Sequence, residues 1–220
     1  MSQLIAFEGI DGAGKSTQIP RLQKWIEAHY RARVVVTAEP TRGEYGAQIR
    51  SAKTRLAPVA ERDLFRFDRR EHVEKVIKPA LERGEIVITD RYFYSSVAYQ
   101  GTRRDAFERE PTTTDFLNLQ NDILAENRAI APEADILVFV AIAPEVALSR
   151  IDSGRAARDP FETLQTLAAV DEVFRRIVAE HPHAVVVDGT ADPDIIAQSI
   201  AEQIEAIWRR YGEIIYRPSL

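Results

Sequence analysis

Two spacings of apolar residue alternate along the 220-residue chain. Five short runs, at residues 4–7, 34–36, 86–88, 136–142 and 184–187, are almost wholly apolar. Runs this short and this apolar fit strands buried on both faces, as in a parallel sheet. Between them, apolar residues recur at helical spacing: Ile19, Leu22 and Ile26 first, then Leu64, Phe65 or Phe67, Val73, Val76 and Leu81. Leu164, Leu167, Phe174 and Ile177 form another stripe, and Ile196, Ile200, Ile204 and Ile207 the last. Strand and helix in alternation predict βαβ units around a parallel sheet, an α/β fold. Pro79 is expected to bend the helix it falls in. Residues 101–114, polar and rich in Arg and Glu, read as a mobile loop.

Ligands in such sheets sit at the carboxyl ends of the strands. The first run leads into GIDGAGKS at residues 9–16, which fits G-x-x-x-x-G-K-[ST]. Gly9, Gly12 and Gly14 carry no Cβ, so the backbone can curl with its N–H groups turned toward phosphate oxygens. Lys15 adds a point charge, Ser16 a hydroxyl for Mg²⁺, and the helix that starts here turns its positive end to the anion. A nucleoside triphosphate site follows, with Gly9, Ile10, Asp11, Gly12, Ala13, Gly14, Lys15, Ser16 and Thr17 as its wall. The second run is followed by Glu39-Pro40-Thr41-Arg42-Gly43 and a short helix bearing Arg50, the third by Asp90-Arg91-Tyr92 and a helix carrying Ser96, Tyr99 and Gln100. After the fourth, a helix opening at Pro144 runs into an arginine-rich, glycine-broken stretch at 150–158.

At 220 residues, 45% of them hydrophobic and 29% charged, the chain suits one globular domain spanning 1–220. It has no cysteine, which excludes disulfides, thiolate metal sites and cysteine nucleophiles. A net charge of −5 argues against broad nucleic-acid binding. The longest wholly apolar run, 136–143, is far shorter than the ~20 residues of a membrane span, and no leader precedes the first strand, so a cytoplasmic protein is expected. His181 and His183 flank Pro182 where a helix should end, and read as surface residues.

The motifs together resemble the thymidylate kinase family: FEGIDGAGKST at 7–17, EPTRGEYGAQIR at 39–50, LFRFDR at 64–69, VIKPALERGEIVITDRYFYSSVAYQG at 76–101 and RIDSGRAARDPFE at 150–162, in the family's order. The resemblance implies a P-loop NTPase fold with a five-stranded parallel sheet, a homodimer, and phosphorylation of dTMP by ATP with Mg²⁺. It assigns Lys15 and Ser16 to the ATP phosphates and metal, Asp11 to the acceptor 3′-hydroxyl and the metal shell, and Asp90 to the water around Mg²⁺. Arg50 and Arg91 would hold the acceptor phosphate. Phe65 would stack on thymine, Arg69 would reach its O4 edge, Ser96 its N3 side, Tyr99 would crowd the sugar 2′ position, and Gln100 completes the pocket. Arg155 and Arg158 would act from a mobile lid at about 150–160, and Glu162 lies where some members orient the acceptor. On the residues alone, Phe65 also reads as core, Arg69 as a surface ion-pair partner, and Ser96 and Tyr99 as helix packing. The chain departs from the family pattern at Ala38, Thr41-Arg42, Arg66-Phe67 and Pro160, and has Gly12 where some relatives carry an arginine, a pattern that goes with lid-supplied arginines.

Three other readings compete. A deoxynucleoside kinase would also carry Glu-Pro after the second strand, with Glu39 as base on a 5′-hydroxyl, and another monophosphate kinase would use a related acceptor site. A P-loop switch or scaffold without activity is disfavoured because Asp11, Lys15, Ser16 and Asp90 are all present.

Overall fold

A computed structural model describes residues 2–52, 54–154 and 163–210. Its sheet has five parallel strands, β1 (Gln3–Glu8), β2 (Val34–Ala38), β3 (Ile86–Asp90), β4 (Ile136–Ala141) and β5 (Ala184–Asp188), in the order β2-β3-β1-β4-β5. Every apolar run of the sequence became a strand. β1 is central, with Ile5 opposite Ile88 of β3 on one side and Ile136 of β4 on the other. Its six residues are all buried, whereas the edge strands β2 and β5 are only partly covered. Burying one such Ile or Phe side chain contributes roughly 1.5–3 kcal/mol, so the central strands anchor the ends from which the site is built.

Helix α1 (Lys15–His29) follows β1 and packs on α9 (Pro193–Arg210), where Trp25 and Trp208 stack with ring centroids 6.1 Å apart. Between β2 and β3 come α2 (Glu44–Ser51), α3 (Pro58–His72) and α4 (Lys78–Glu82). α5 (Phe93–Gln100) follows β3 and packs on α6 (Thr113–Arg128) and on α8 (Leu164–Glu180), and α7 (Pro144–Gly154) follows β4. No helix among the described residues is long and apolar enough to cross a membrane.

Pro79 does not simply bend its helix. A π-helical turn, Val73–Ile77, joins α3 to α4 just before it. Pro79 has no N–H to donate to the carbonyl four residues back, and its ring crowds that carbonyl, so the widened turn lets the chain continue. The turn also resets the helical phase: Val73 and Ile77 are fully buried while Val76 is half-buried. Leu164, expected in an apolar stripe, is exposed; of the two alternatives Phe65 and Phe67, Phe67 is exposed and lies against Tyr45, and Phe65 is half-buried and lines a cavity. Helix α6 was not legible from apolar spacing, because two of its three buried residues are Gln120 and Asn127. Its start is marked by a capping box in which Thr112 accepts from the Asp115 N–H and Asp115 accepts from the Thr112 N–H. The 101–114 segment is held by ion pairs from Arg103 to Glu61 and Asp105 and from Arg109 to Asp115, with Arg103 itself buried. His181 and His183 are half-buried, each with a ring nitrogen on a backbone carbonyl that precedes β4.

Candidate active site

The loop from β1 to α1 can only be made of glycine where it bends hardest. Gly9, Gly12 and Gly14 have φ of 144°, 80° and 100°. A Cβ on Gly9 would lie 2.7 Å from the Val140 carbonyl oxygen, and one on Gly12 2.6 Å from that of Ala147, so β4 and α7 press directly on the loop. Ile10 and Ala13 turn their side chains into the core, leaving only their backbone for a ligand; Thr17 is exposed. Lys15 is buried beneath the loop, its Nζ donating to the carbonyls of Gly9 (2.9 Å) and Ile10 (3.2 Å). Burial, with Arg91 nearby, pushes its pKa down from the ordinary lysine value, a strain that an arriving anion relieves. At the start of α1 the exposed Ser16 hydroxyl donates to Asp90 Oδ2 at 2.8 Å. One hydroxyl and one carboxylate are the small set of hard oxygens by which Mg²⁺ is usually held, the rest of its shell being phosphate and water. The residues therefore fit that ion.

Arg91 is the hub beside the loop. Its φ of 68° is costly for a residue with a long side chain. The backbone is fixed there by Arg91 N–H donating to the Phe7 carbonyl at 3.0 Å and by the Thr89 hydroxyl donating to the Arg91 carbonyl at 2.7 Å. Its guanidinium donates to Asp11 Oδ1 (2.7 Å), to the Ser95 hydroxyl (3.0 Å) and to the Tyr99 hydroxyl (3.2 Å). Tyr99 in turn donates to Asp11 Oδ2 at 3.1 Å. Burial would raise the Asp11 carboxyl, but Arg91 and then Lys15 outweigh it and hold it well below the usual carboxylate range. Behind this cluster the buried Glu8 carboxylate accepts from the Tyr92 and Ser95 N–H groups at the start of α5 and from the Ser95 hydroxyl at 2.6 Å. Burial pushes its pKa up against the pull of Arg91.

Asp11, Arg91 and Tyr99 open onto a cavity of about 440 Å³ whose wall includes Phe65, Arg69, Ser96, Gln100 and Glu39. The structure thus brings together seven of the eight residues expected to bind the acceptor. Arg69 is no surface residue: it is 1% exposed, and Glu39 Oε2 takes bonds from its Nε (2.9 Å) and Nη2 (2.6 Å). Burial would raise the Glu39 carboxyl, but Arg69 and His72 more than reverse that, so it is held below its ordinary value. A carboxylate so committed is a poor proton acceptor, which removes the main support for Glu39 as a base on a 5′-hydroxyl.

Arg50 is the eighth. It is exposed and lies in a neighbouring cavity of about 770 Å³ with Ser16, Asp90 and Arg42, donating to the carbonyls of Pro40 (2.8 Å) and Thr41. Pro40, after a cis peptide bond, lines both cavities and separates Arg50 from Arg91. The Thr41-Arg42 turn beside it is pinned by the buried Asp68, which accepts from the Thr41 N–H (2.8 Å) and hydroxyl (2.6 Å). Of the three residues expected at the metal, Ser16 and Asp90 touch, while Asp11 belongs to the first cavity. Arg155, Arg158, Pro160 and Glu162 lie outside the described residues; Arg150, on α7, donates to the Gly12 carbonyl at 3.3 Å.

Sequence reasoning missed Glu8, His72 and Asn127. Glu8 carried a signal, a carboxylate closing an otherwise apolar strand just before a phosphate loop. The other two carried none that spacing could reveal.

The family model for thymidylate kinase matches residues 7–200. Similar proteins include a thymidylate kinase of Xanthomonas euvesicatoria pv. vesicatoria (strain 85-10), 41% identical over 206 residues that cover 93% of this chain and 82% of that protein. A thymidylate kinase of Akkermansia muciniphila is 40% identical over 216 residues, 97% of this chain and 95% of that protein. The match runs from the end of β1 into α9, through the phosphate loop, the Arg91 hub and the Arg69 pocket without a break, and the chain belongs to the thymidylate kinase family.

Proposed function

We propose that this protein transfers the γ-phosphoryl group of ATP to dTMP, making dTDP, with Mg²⁺ as the accompanying ion. The observation that carries the reading is the adjacency of two sites: a glycine-cornered loop with a buried lysine, and beside it a cavity that has Arg91 at its near end and Arg69 further in. The first suits a triphosphate and the second a nucleotide of one phosphate and one base.

The second pKa of a phosphate monoester is about 6, so the acceptor oxygen is already ionised at neutral pH and needs no strong base. The difficulty is to hold two anions close enough to react. Lys15 meets the donor phosphates and Arg91 the acceptor phosphate, with Asp11 and Tyr99 keeping the Arg91 guanidinium aimed. Arg50, across Pro40, can close on the same phosphate. When bound at Ser16 and Asp90, Mg²⁺ would neutralise charge on the phosphate oxygens. Phe65 offers a face for stacking, Arg69 and Ser96 polar groups for the base edge, Gln100 a further amide, and Tyr99 a ring against the sugar. Charge on the transferring group is met by Arg155 and Arg158 from a lid at about 150–160.

The chain is expected to work in the cytoplasm as a homodimer; a solution mass near 24.8 kDa by light scattering would refute the second part. ADP release measured with and without dTMP tests the enzyme reading against a P-loop switch. Release should be slow with ATP alone and rise by orders of magnitude when dTMP is added; equal rates would overturn it.

A further inference from the structure

Arg69 is held partly by residues that do not line the cavity. A guanidinium has five N–H groups. Here Nε and Nη2 each bond Glu39 Oε2, Nη2 also bonds the Ser96 hydroxyl at 3.1 Å, and Nη1 bonds Asn127 Oδ1. One N–H, on Nη1, is left for a ligand. The Tyr92 ring backs the group, its centroid 6.0 Å from Cζ. Glu39 is itself fixed from behind: its other oxygen meets His72 Nδ1 at 2.9 Å, and His72 Nε2 meets the Thr37 hydroxyl of β2 at 2.7 Å. Asn127 is equally constrained, since its amide nitrogen donates to the Ile123 carbonyl at 2.7 Å and its oxygen must then face Arg69. Glu39, Arg69 and Ser96 line the acceptor cavity, while His72 and Asn127 do not.

We propose that Asn127 and His72 are positioning residues for base selection: from α6 and from the end of α3 they lock the Arg69 guanidinium, so that it meets the base edge with one fixed donor. The inference rests on the reading of this cavity as the dTMP site. A fixed donor pairs with a ring carbonyl, which accepts its hydrogen bond, and cannot turn to accommodate an amino group in that place. A guanidinium free to swing would bind both more weakly and tell them apart less well. Hydrogen bonds to charged groups in dry sites are strong enough for the loss of one to be read in kinetics.

The test is steady-state kinetics of the full-length protein with dTMP and with dCMP, for wild type, Asn127→Leu, Asn127→Asp and His72→Ala. Asn127→Leu keeps the shape but removes the acceptor, and should raise KM for dTMP about tenfold and reduce the dTMP over dCMP preference in kcat/KM by a smaller factor, about threefold, since dCMP also binds more weakly. KM for ATP, and kcat at saturating dTMP, should change less than twofold, roughly, because the donor site is untouched. Asn127→Asp retains an oxygen toward Nη1 and should restore the preference. His72→Ala should shift KM for dTMP in the same direction by a smaller factor, since it acts through Glu39. Unchanged preference in both Asn127→Leu and His72→Ala would overturn the proposal. So would a loss of kcat and of both KM values together that Asn127→Asp fails to rescue, which is the pattern of a residue needed only for folding. Failure of the wild-type protein to phosphorylate dTMP would instead remove the underlying reading, and this proposal with it.

Discussion

Removing the charge of Glu39 by Glu39→Gln should destabilise the protein more than removing that of its partner by Arg69→Met. Both side chains are buried, 1% exposed for Arg69 and 2% for Glu39, and they meet at 2.6 Å. With Glu39 neutral, Arg69 keeps its charge, because a guanidinium cannot shed its proton, and the remaining neutral acceptors do not compensate it. Breaking a buried pair in this way costs about 3–5 kcal/mol. With Arg69 gone, the Glu39 carboxylate still has His72 at 2.9 Å and can take up a proton, so the loss should be about 1–3 kcal/mol. For a slope of about 3 kcal/mol/M in urea, Glu39→Gln lowers the midpoint by roughly 1 to 1.7 M. The sign with pH follows from the depressed Glu39 pKa. Its contribution is fully present above the unfolded value of 4.5 and is lost as pH falls through the lower folded value, so the gap between wild type and Glu39→Gln should close in acid. Urea titrations followed by fluorescence of Trp25 and Trp208, which report from the α1–α9 contact, measure this. The double variant should recover about 2 kcal/mol relative to the sum of the singles. A Glu39→Gln cost under about 1 kcal/mol at pH 7, or strict additivity, would refute the argument.

Lys15→Ala should lower turnover by orders of magnitude while far-UV circular dichroism stays that of the wild type, and near-normal turnover in a folded variant would refute its role. Tyr99→Phe deletes the hydroxyl that joins Arg91 and Asp11, and should raise KM for dTMP by about tenfold with UMP still excluded by the ring; acceptance of UMP by the wild-type protein would count against the assignment. Arg155→Ala and Arg158→Ala should each cut turnover at least tenfold, roughly, with little change in nucleotide affinity. If the double variant keeps wild-type turnover, the charge comes from elsewhere, with Arg150 the next to test.

The strands were legible because each is a contiguous apolar run, and the phosphate loop because its glycines answer to local backbone geometry. The Asp90-Arg91 corner was legible by position, though not the positive φ that aims Arg91. The Arg69 pocket was visible only in part. With 24 arginines in the chain, nothing local distinguishes Arg69, since its burial depends on Glu39 from another strand end and Asn127 from another helix. Helix α6 escaped for the same reason: its inner face is polar because it serves other polar groups, Gln120 bonding the Gly101 carbonyl and Asn127 bonding Arg69. Apolar spacing finds residues that are buried by water's exclusion and overlooks those buried for their hydrogen bonds.

The central claim is the direction of phosphoryl transfer and the identity of its acceptor. Single-turnover reaction of the protein with γ-labelled ATP and Mg²⁺, offered dTMP or thymidine and resolved by anion exchange, tests it most directly. The account predicts that the label moves into dTDP when dTMP is present and that thymidine yields no labelled dTMP. Label appearing in dTMP from thymidine, or released as inorganic phosphate regardless of acceptor, would contradict it.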